Sequence, residues 1–163
     1  MTDTVALALP TELSVRNVMS DVLDRDVSVS HANGPALEDG AGLLAVYRDD
    51  EQQVRAVAGW SVPLVIAAGA SLGLVPPGFA AELVAERLVR KDLLDNVLEM
   101  CNVLVAAFGR GEDTPHLRFA GHHHPASGAD ADIRELANRH SNRLDLLIGI
   151  AGYPEGVLTL AVV

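Results

Sequence analysis

One stretch of the chain, Asp95–Asn102, predicts an amphipathic helix with a defined polar stripe. Asp95, Glu99 and Asn102 stand at positions i, i+4 and i+7, so an α-helix would carry them on one face. Apolar residues recur at helical spacing on the other side, at Leu94, Val97, Leu98, Cys101, Leu104, Val105 and Phe108. The fold must therefore bury the apolar side of this helix and leave the polar stripe facing outwards.

A polar stripe alone has a plain explanation, because any surface helix needs a soluble face. The position of a later proline adds to it. In the sequence, 22 residues separate Asn102 from Pro125, which completes the pattern Asp-x3-Glu-x2-Asn-x22-Pro. This pattern resembles the signature of the CheC/CheX/FliY phosphatases of bacterial chemotaxis, which begins with Asp or Ser. One copy is present, as in the CheX-like members of that family.

The resemblance implies a fold and an activity. The expected fold is α+β and CheC-like, with an antiparallel or mixed sheet and two long helices packed on one face. The expected activity is hydrolysis of the aspartyl phosphate on a CheY-like receiver domain of a response regulator. By resemblance, Asn102 orients the attacking water and Glu99 docks on a lysine of the regulator, while Asp95 and Pro125 support the motif. The regulator, and not this chain, would hold the Mg²⁺.

The residue types suit those roles. An amide both donates and accepts hydrogen bonds without titrating, so Asn102 can hold a water and a phosphoryl oxygen together. The rate gain would come from positioning. Glu99, one turn earlier, can pair with a cation of the partner. Asp95 has two interpretations: it extends the acidic edge, or it forms an i,i+4 ion pair with Lys91.

The sequence also departs from the family pattern. Cys101 stands where a glycine often precedes the asparagine, and Ala106 stands where a glycine often follows it. Cys101 is on the apolar side of the predicted helix, which favours a buried structural thiol over a nucleophile. These departures leave a second hypothesis open, that the chain is a CheC-like docking module without catalysis.

Composition narrows the class of protein and partner. The chain has 163 residues, of which 49% are hydrophobic, as expected of one domain over 1–163. A net charge of −10 argues against nucleic acid or an anionic membrane as partner. A single cysteine cannot form an internal disulfide, and no secretory signal is recognised, so the expected location is the cytoplasm.

Hydrophobic periodicity and turn residues predict the order of helices and strands. Helices are predicted over 12–24, from Pro63, from Phe79 to near Gly109 with a break at Arg90–Asp92, and around Ile133. Strands are predicted at Val27–Ser30, Leu43–Tyr47, Val54–Val62, His116–Ala120, Leu144–Ala151 and Val157–Val163. Hairpins without βαβ alternation are typical of an α+β domain. No internal repeat is visible.

Two further features bear on metals and on self-association. His122, His123 and His124 are consecutive, and consecutive residues on an extended chain point to opposite faces, so no metal site is predicted there. A surface segment just before Pro125 is expected instead. CheX-type relatives pair, and the apolar strand Leu158–Val163 is the predicted edge for a homodimer.

Overall fold

The computed structural model describes residues 7–37, 41–108, 114–125 and 130–163. Within these ranges the helices are α1 Glu12–Leu23, α2 Val62–Leu72, α3 Pro77–Glu86, α4 Lys91–Leu104 and α5 Ala131–Asn138. A 3₁₀ turn, Val105–Phe108, continues from α4. The strands are β1 Val27–His31, β2 Leu43–Arg48, β3 Val54–Trp60, β4 Arg118–His123, β5 Arg143–Ile150 and β6 Gly156–Val162. The α+β prediction is confirmed, and among the described helices none has the length and apolar character needed to cross a bilayer.

The six strands form one antiparallel sheet in the order β1-β5-β6-β3-β2-β4. If α2, α3 and α5 are set aside, the first half of the chain runs α1, β1, β2, β3, and the second half runs α4, β4, β5, β6. Exchanging the two halves reverses the strand order and leaves the topology unchanged. The first strand of each half also pairs with the hairpin of the other half, so the halves interlock. This two-fold relation is one of strand order and pairing, and the sequence shows no corresponding repeat.

The prediction that the C-terminal strand is a free edge for a homodimer is wrong. β6 lies between β5 and β3, and Leu158 has a partner on both sides, Leu146 and Trp60. The near-continuous apolar run of β6 is what a strand buried on both faces requires, and it does not mark an exposed edge. The edges of the sheet are β1 and β4.

Both faces of the sheet are covered. On one face α1, α2, α3 and α4 share the main core, so the layer that was expected to hold two long helices holds four of the described helices. On the other face α5 contributes Ile133 and Leu136, which pack against Leu44, Val46 and Val57. Strand β2 serves both cores because its side chains alternate. The resemblance named only the first helical layer.

The long helical pattern after Phe79 is divided, as predicted, but slightly earlier. α3 ends at Glu86, Arg87 adopts a left-handed conformation with φ of 52°, and α4 begins at Lys91. Ser61 caps α2, so β3 stops at Trp60, and Pro63 takes the second helical position. Gly109, the predicted end of the helix, lies outside the described residues.

Helix α2 contacts its neighbours backbone to backbone at two glycines. A Cβ on Gly69 would lie 2.4 Å from the carbonyl oxygen of Leu93 in α4, and a Cβ on Gly156 of β6 would lie 2.4 Å from the amide nitrogen of Leu64. The side-chain amide of Asn96 donates to the Gly69 carbonyl at 3.0 Å. These contacts fix the separation between α4 and the sheet.

We therefore expect Gly69→Ala to destabilise the protein by about 1–3 kcal/mol, the usual cost of overpacking a close contact. Gly78→Ala is the matched control, because a Cβ there meets nothing within 4 Å and Gly78 lies inside α3. The control should be up to about 1 kcal/mol more stable than wild type through helix propensity. Urea unfolding measures both variants, and equal stability for the two would contradict the close packing of α2 on α4.

Candidate functional site

Helix α4 buries an apolar side that is rotated slightly about the helix axis from the side that the sequence predicts. Its fully buried residues are Leu93, Val97, Met100, Cys101 and Leu104. Burial of Cys101 was predicted and is confirmed. Leu94, Leu98 and Val105, which were also predicted to be buried, are half-buried at the border of the core. The contact between Leu93 and Gly69 sets this rotation, and the sequence gives no sign of it.

The polar stripe faces outwards, as predicted. Asp95, Glu99 and Asn102 are all exposed on α4. Within the described ranges, Glu99 and Asn102 form no hydrogen bond and no ion pair with this chain. Residues three apart on a helix have Cβ atoms about 5–6 Å from each other. An acid and an amide are thus presented together to the solvent, with no partner in the part of the chain that the structure describes.

The first turn of α4 is different, because its acids are paired. Lys91 Nζ lies 2.8 Å from Asp95 Oδ2, and this hydrogen bond raises the pKa of Lys91. The Arg90 guanidinium donates to both carboxylate oxygens of Asp92, at 3.0 and 2.7 Å. Of the two interpretations of Asp95, the structure shows the ion pair with Lys91. Glu99 is then the acid of the stripe that has no cation beside it in the described part of the chain.

A residue that sequence reasoning did not identify supports the end of α4. The hydroxyl of Tyr47, on β2, donates to the carbonyl of Cys101 at 2.6 Å, next to Asn102. The Tyr47 ring packs against Phe108 and Phe119, with ring centres 5.4 and 5.8 Å away. Burial raises the pKa of Tyr47 well above its ordinary value, so the phenol stays a donor. An apolar strand pattern gives no signal that separates this tyrosine from its neighbours.

The segment before Pro125 lies beside the start of α4. His122 and His124 are exposed and His123 is half-buried, which is the alternation predicted for an extended chain. All three line a cavity of about 420 Å³ together with Leu94 of α4. Pro125 follows at the end of this segment and is half-buried. In the described ranges, no three histidine, cysteine or acidic side chains are grouped as metal ligands would be.

The sole cysteine of the sequence is next to Asn102 but points away from it. Cys101 is fully buried, and burial raises the pKa of its thiol to about 12. A thiol with that pKa is almost entirely protonated at neutral pH, and the thiolate is the nucleophilic form. Cys101 therefore contributes packing to the site, not a nucleophile.

We expect the Cys101 thiol to be unreactive towards a disulfide reagent such as DTNB at about pH 8 in the folded protein, because the thiolate is both scarce and enclosed. The same thiol should react within minutes in concentrated urea, which serves as the control. Absorbance of the released thiolate follows both reactions. Fast stoichiometric labelling under native conditions would contradict the burial of Cys101.

Comparisons with known proteins agree on the fold. No protein-family model and no curated protein matches the sequence. Among solved structures, FliY from Thermotoga maritima is 11% identical with a TM-score of 0.53, covering 98% of this chain and 84% of that one. A FliG–FliM complex from H. pylori gives 10% identity, a TM-score of 0.51 and coverage of 93% and 85%.

The FliM middle domain from H. pylori gives similar values. It is 10% identical with a TM-score of 0.50, and the match covers 93% of this chain and 86% of that one. At such identities the likeness concerns the fold alone. The six-stranded antiparallel sheet with helices on both faces, which carries the Asp95–Pro125 pattern, therefore has the fold of the CheC/CheX/FliY family.

Proposed function

We propose that this chain hydrolyses the aspartyl phosphate of a CheY-like receiver domain. The observation that carries the proposal is the pair formed by Glu99 and Asn102. Both are exposed on α4, one turn apart and without a partner among the described residues, at the positions that the phosphatase pattern assigns to the docking acid and the water-orienting amide. The FliY-like fold is consistent with this assignment.

Asn102 would act by positioning. Its amide oxygen accepts a hydrogen bond from a water, and its amide nitrogen donates to a phosphoryl oxygen, which holds the water in line with the scissile bond. The water oxygen bonds to phosphorus as the bond between phosphorus and the aspartate oxygen breaks. The aspartate leaves as a carboxylate, and inorganic phosphate takes the protons of the water. The Mg²⁺ and lysine of the regulator would neutralise the charge.

Glu99 would act mainly in docking. A carboxylate next to Asn102 can pair with the lysine of the regulator before reaction as well as during it, so the contact lowers the energy of both states. Asp95 is less suited to this contact because its carboxylate is already paired with Lys91, whose Nζ lies 2.8 Å from Asp95 Oδ2. Because the acids of the first turn are paired, Glu99 is the acid of the stripe that is open to a partner in the described part of the chain.

The second candidate function is docking without hydrolysis. It is favoured by the likeness to FliM, one structure of which is a complex with FliG. A docking module would use the same exposed face of α4, and its partner need not carry a phosphoryl group. The two functions differ in whether a bound receiver domain loses its phosphate faster.

We expect Asn102→Ala to lower the phosphatase rate about a hundredfold, the scale of loss when a reacting group is misplaced. Binding to the receiver domain should be nearly unchanged. Asn17→Ala on α1, which also removes an exposed helical asparagine, is the matched control and should keep full activity. The measurement is the decay of a phosphorylated receiver domain with Mg²⁺, across a panel of candidate regulators.

If wild type accelerates the decay of no candidate regulator, or if Asn102→Ala is as active as wild type, the enzymatic proposal is wrong. Docking without hydrolysis would then lead, provided that the chain still binds a receiver domain or another protein of the motility apparatus.

Binding to the receiver domain should weaken as ionic strength rises, because an exposed ion pair is screened within about 10 Å at 0.1 M salt. Glu99→Gln should both weaken binding and flatten its salt dependence. Glu82→Gln, which removes an exposed acid on α3, is the control and should keep the wild-type salt dependence. Calorimetric titration at several salt concentrations provides the data, and an unchanged slope for Glu99→Gln would rule out the ionic contact.

A further inference from the structure

We propose that Tyr47 is a positioning residue for Asn102, through its hydrogen bond to the carbonyl of Cys101. This inference rests on the proposed function for its effect on turnover. Its structural part, that Tyr47 holds the peptide leading into Asn102, is independent of any activity. Tyr47 lies on β2, outside the motif and buried in the core, so it touches neither water nor substrate.

The geometry at the end of α4 explains why the Cys101 carbonyl can accept a hydrogen bond from the Tyr47 hydroxyl. In an uninterrupted α-helix the N–H of Val105 would donate to the carbonyl of Cys101. Here α4 ends at Leu104, Val105 opens a 3₁₀ turn, and the Val105 N–H is directed to the carbonyl of Val103 instead. The Cys101 carbonyl therefore does not accept the hydrogen bond from Val105 that a continuing helix would supply. The Tyr47 hydroxyl donates to this carbonyl at 2.6 Å.

The position of that hydroxyl is set by the sheet. β2 is paired on both sides, and Tyr47 is in register with Ala56 of β3 and Phe119 of β4. Phe108, in the 3₁₀ turn itself, packs against the same ring. The Tyr47 side chain thus contacts α4, the 3₁₀ turn and β4 at the point where α4 ends. Burial keeps its hydroxyl protonated. The peptide before Asn102 is therefore held by a strand that is paired on both sides, with a register irregularity next to Tyr47 in each pairing.

The direction of the Asn102 side chain follows from that of its backbone. Without the hydroxyl, the buried Cys101 carbonyl would lose this donor, and a buried carbonyl that loses a donor favours any shift that restores one. One such shift is a rotation of the Cys101–Asn102 peptide that brings its carbonyl towards the Val105 N–H, which would move the backbone at Asn102. A displacement of about 1 Å is enough to lower a positioning-dependent rate up to a hundredfold.

Tyr47→Phe is the direct test, because it keeps the ring and removes only the hydroxyl. Tyr153→Phe is the matched control: the Tyr153 hydroxyl also donates to a backbone carbonyl, that of Val75 at 2.5 Å, away from α4. We expect Tyr47→Phe to lower kcat at least about tenfold with KM for the phosphorylated receiver unchanged. Tyr153→Phe should keep both constants, although it also loses a hydrogen bond.

A second measurement does not need activity. Amide NMR spectra should show the backbone and side-chain signals of Asn102 shifted in Tyr47→Phe and unchanged in Tyr153→Phe. Unshifted Asn102 signals in Tyr47→Phe would overturn the inference, and so would an unchanged kcat in an active protein. If wild type is inactive on every receiver domain, the proposed function fails, and the NMR comparison alone decides whether Tyr47 positions Asn102.

A replacement of Tyr47 by 4-aminophenylalanine covers the case in which the phenylalanine variant does not fold. Its amino group keeps a donor at the same ring position. We expect this protein to have Asn102 signals close to those of wild type and, if the chain is a phosphatase, most of the wild-type kcat. Asn102 signals displaced despite the retained donor would contradict the proposed role of the hydrogen bond.

Discussion

The packing of α2 between the sheet and α4 is the constraint on which the rest of the structure depends. This helix is buried almost throughout its length, so it needs an apolar layer on both sides. Gly156 allows the backbone of α2 to contact β6, and Gly69 allows the backbone of α4 to contact α2. With the separation set by backbone atoms, α4 has little freedom to rotate. The outward direction of Glu99 and Asn102 is therefore a consequence of packing on the opposite side of the helix.

The charges along α4 divide the exposed face into two parts. In the first turn, Arg90 and Lys91 neutralise Asp92 and Asp95, so that part of the surface has its charges internally matched. One turn further on, Glu99 and Asn102 have no such partners in the described structure. On a chain with a net charge of −10, a carboxylate in this position is suited to a cation carried by another molecule. The outward-facing acid and amide without partners in the described structure are therefore adjacent on one helix.

The pairing between the two halves connects the end of α4 to the segment before Pro125. β4, which precedes Pro125, pairs with β2 from the first half, and β2 also carries Tyr47. The same strand therefore supports both the end of α4 and the segment that leads to Pro125. The two ends of the motif, which are far apart in sequence, are joined through a strand that the motif does not include.

The sequence by itself determined most of the local structure and which polar residues of α4 face outwards. Period 3.6 identified the polar stripe of α4, period 2 and apolar runs identified the strands, and the resemblance named Glu99 and Asn102. Tertiary structure alone decided that β6 is central, that α4 is rotated towards Leu93, that Asp95 pairs with Lys91, and that Tyr47 binds Cys101. The physical reason is that hydrophobic period records which side of an element is buried. It does not record which neighbour buries that side, because apolar contact is not directional.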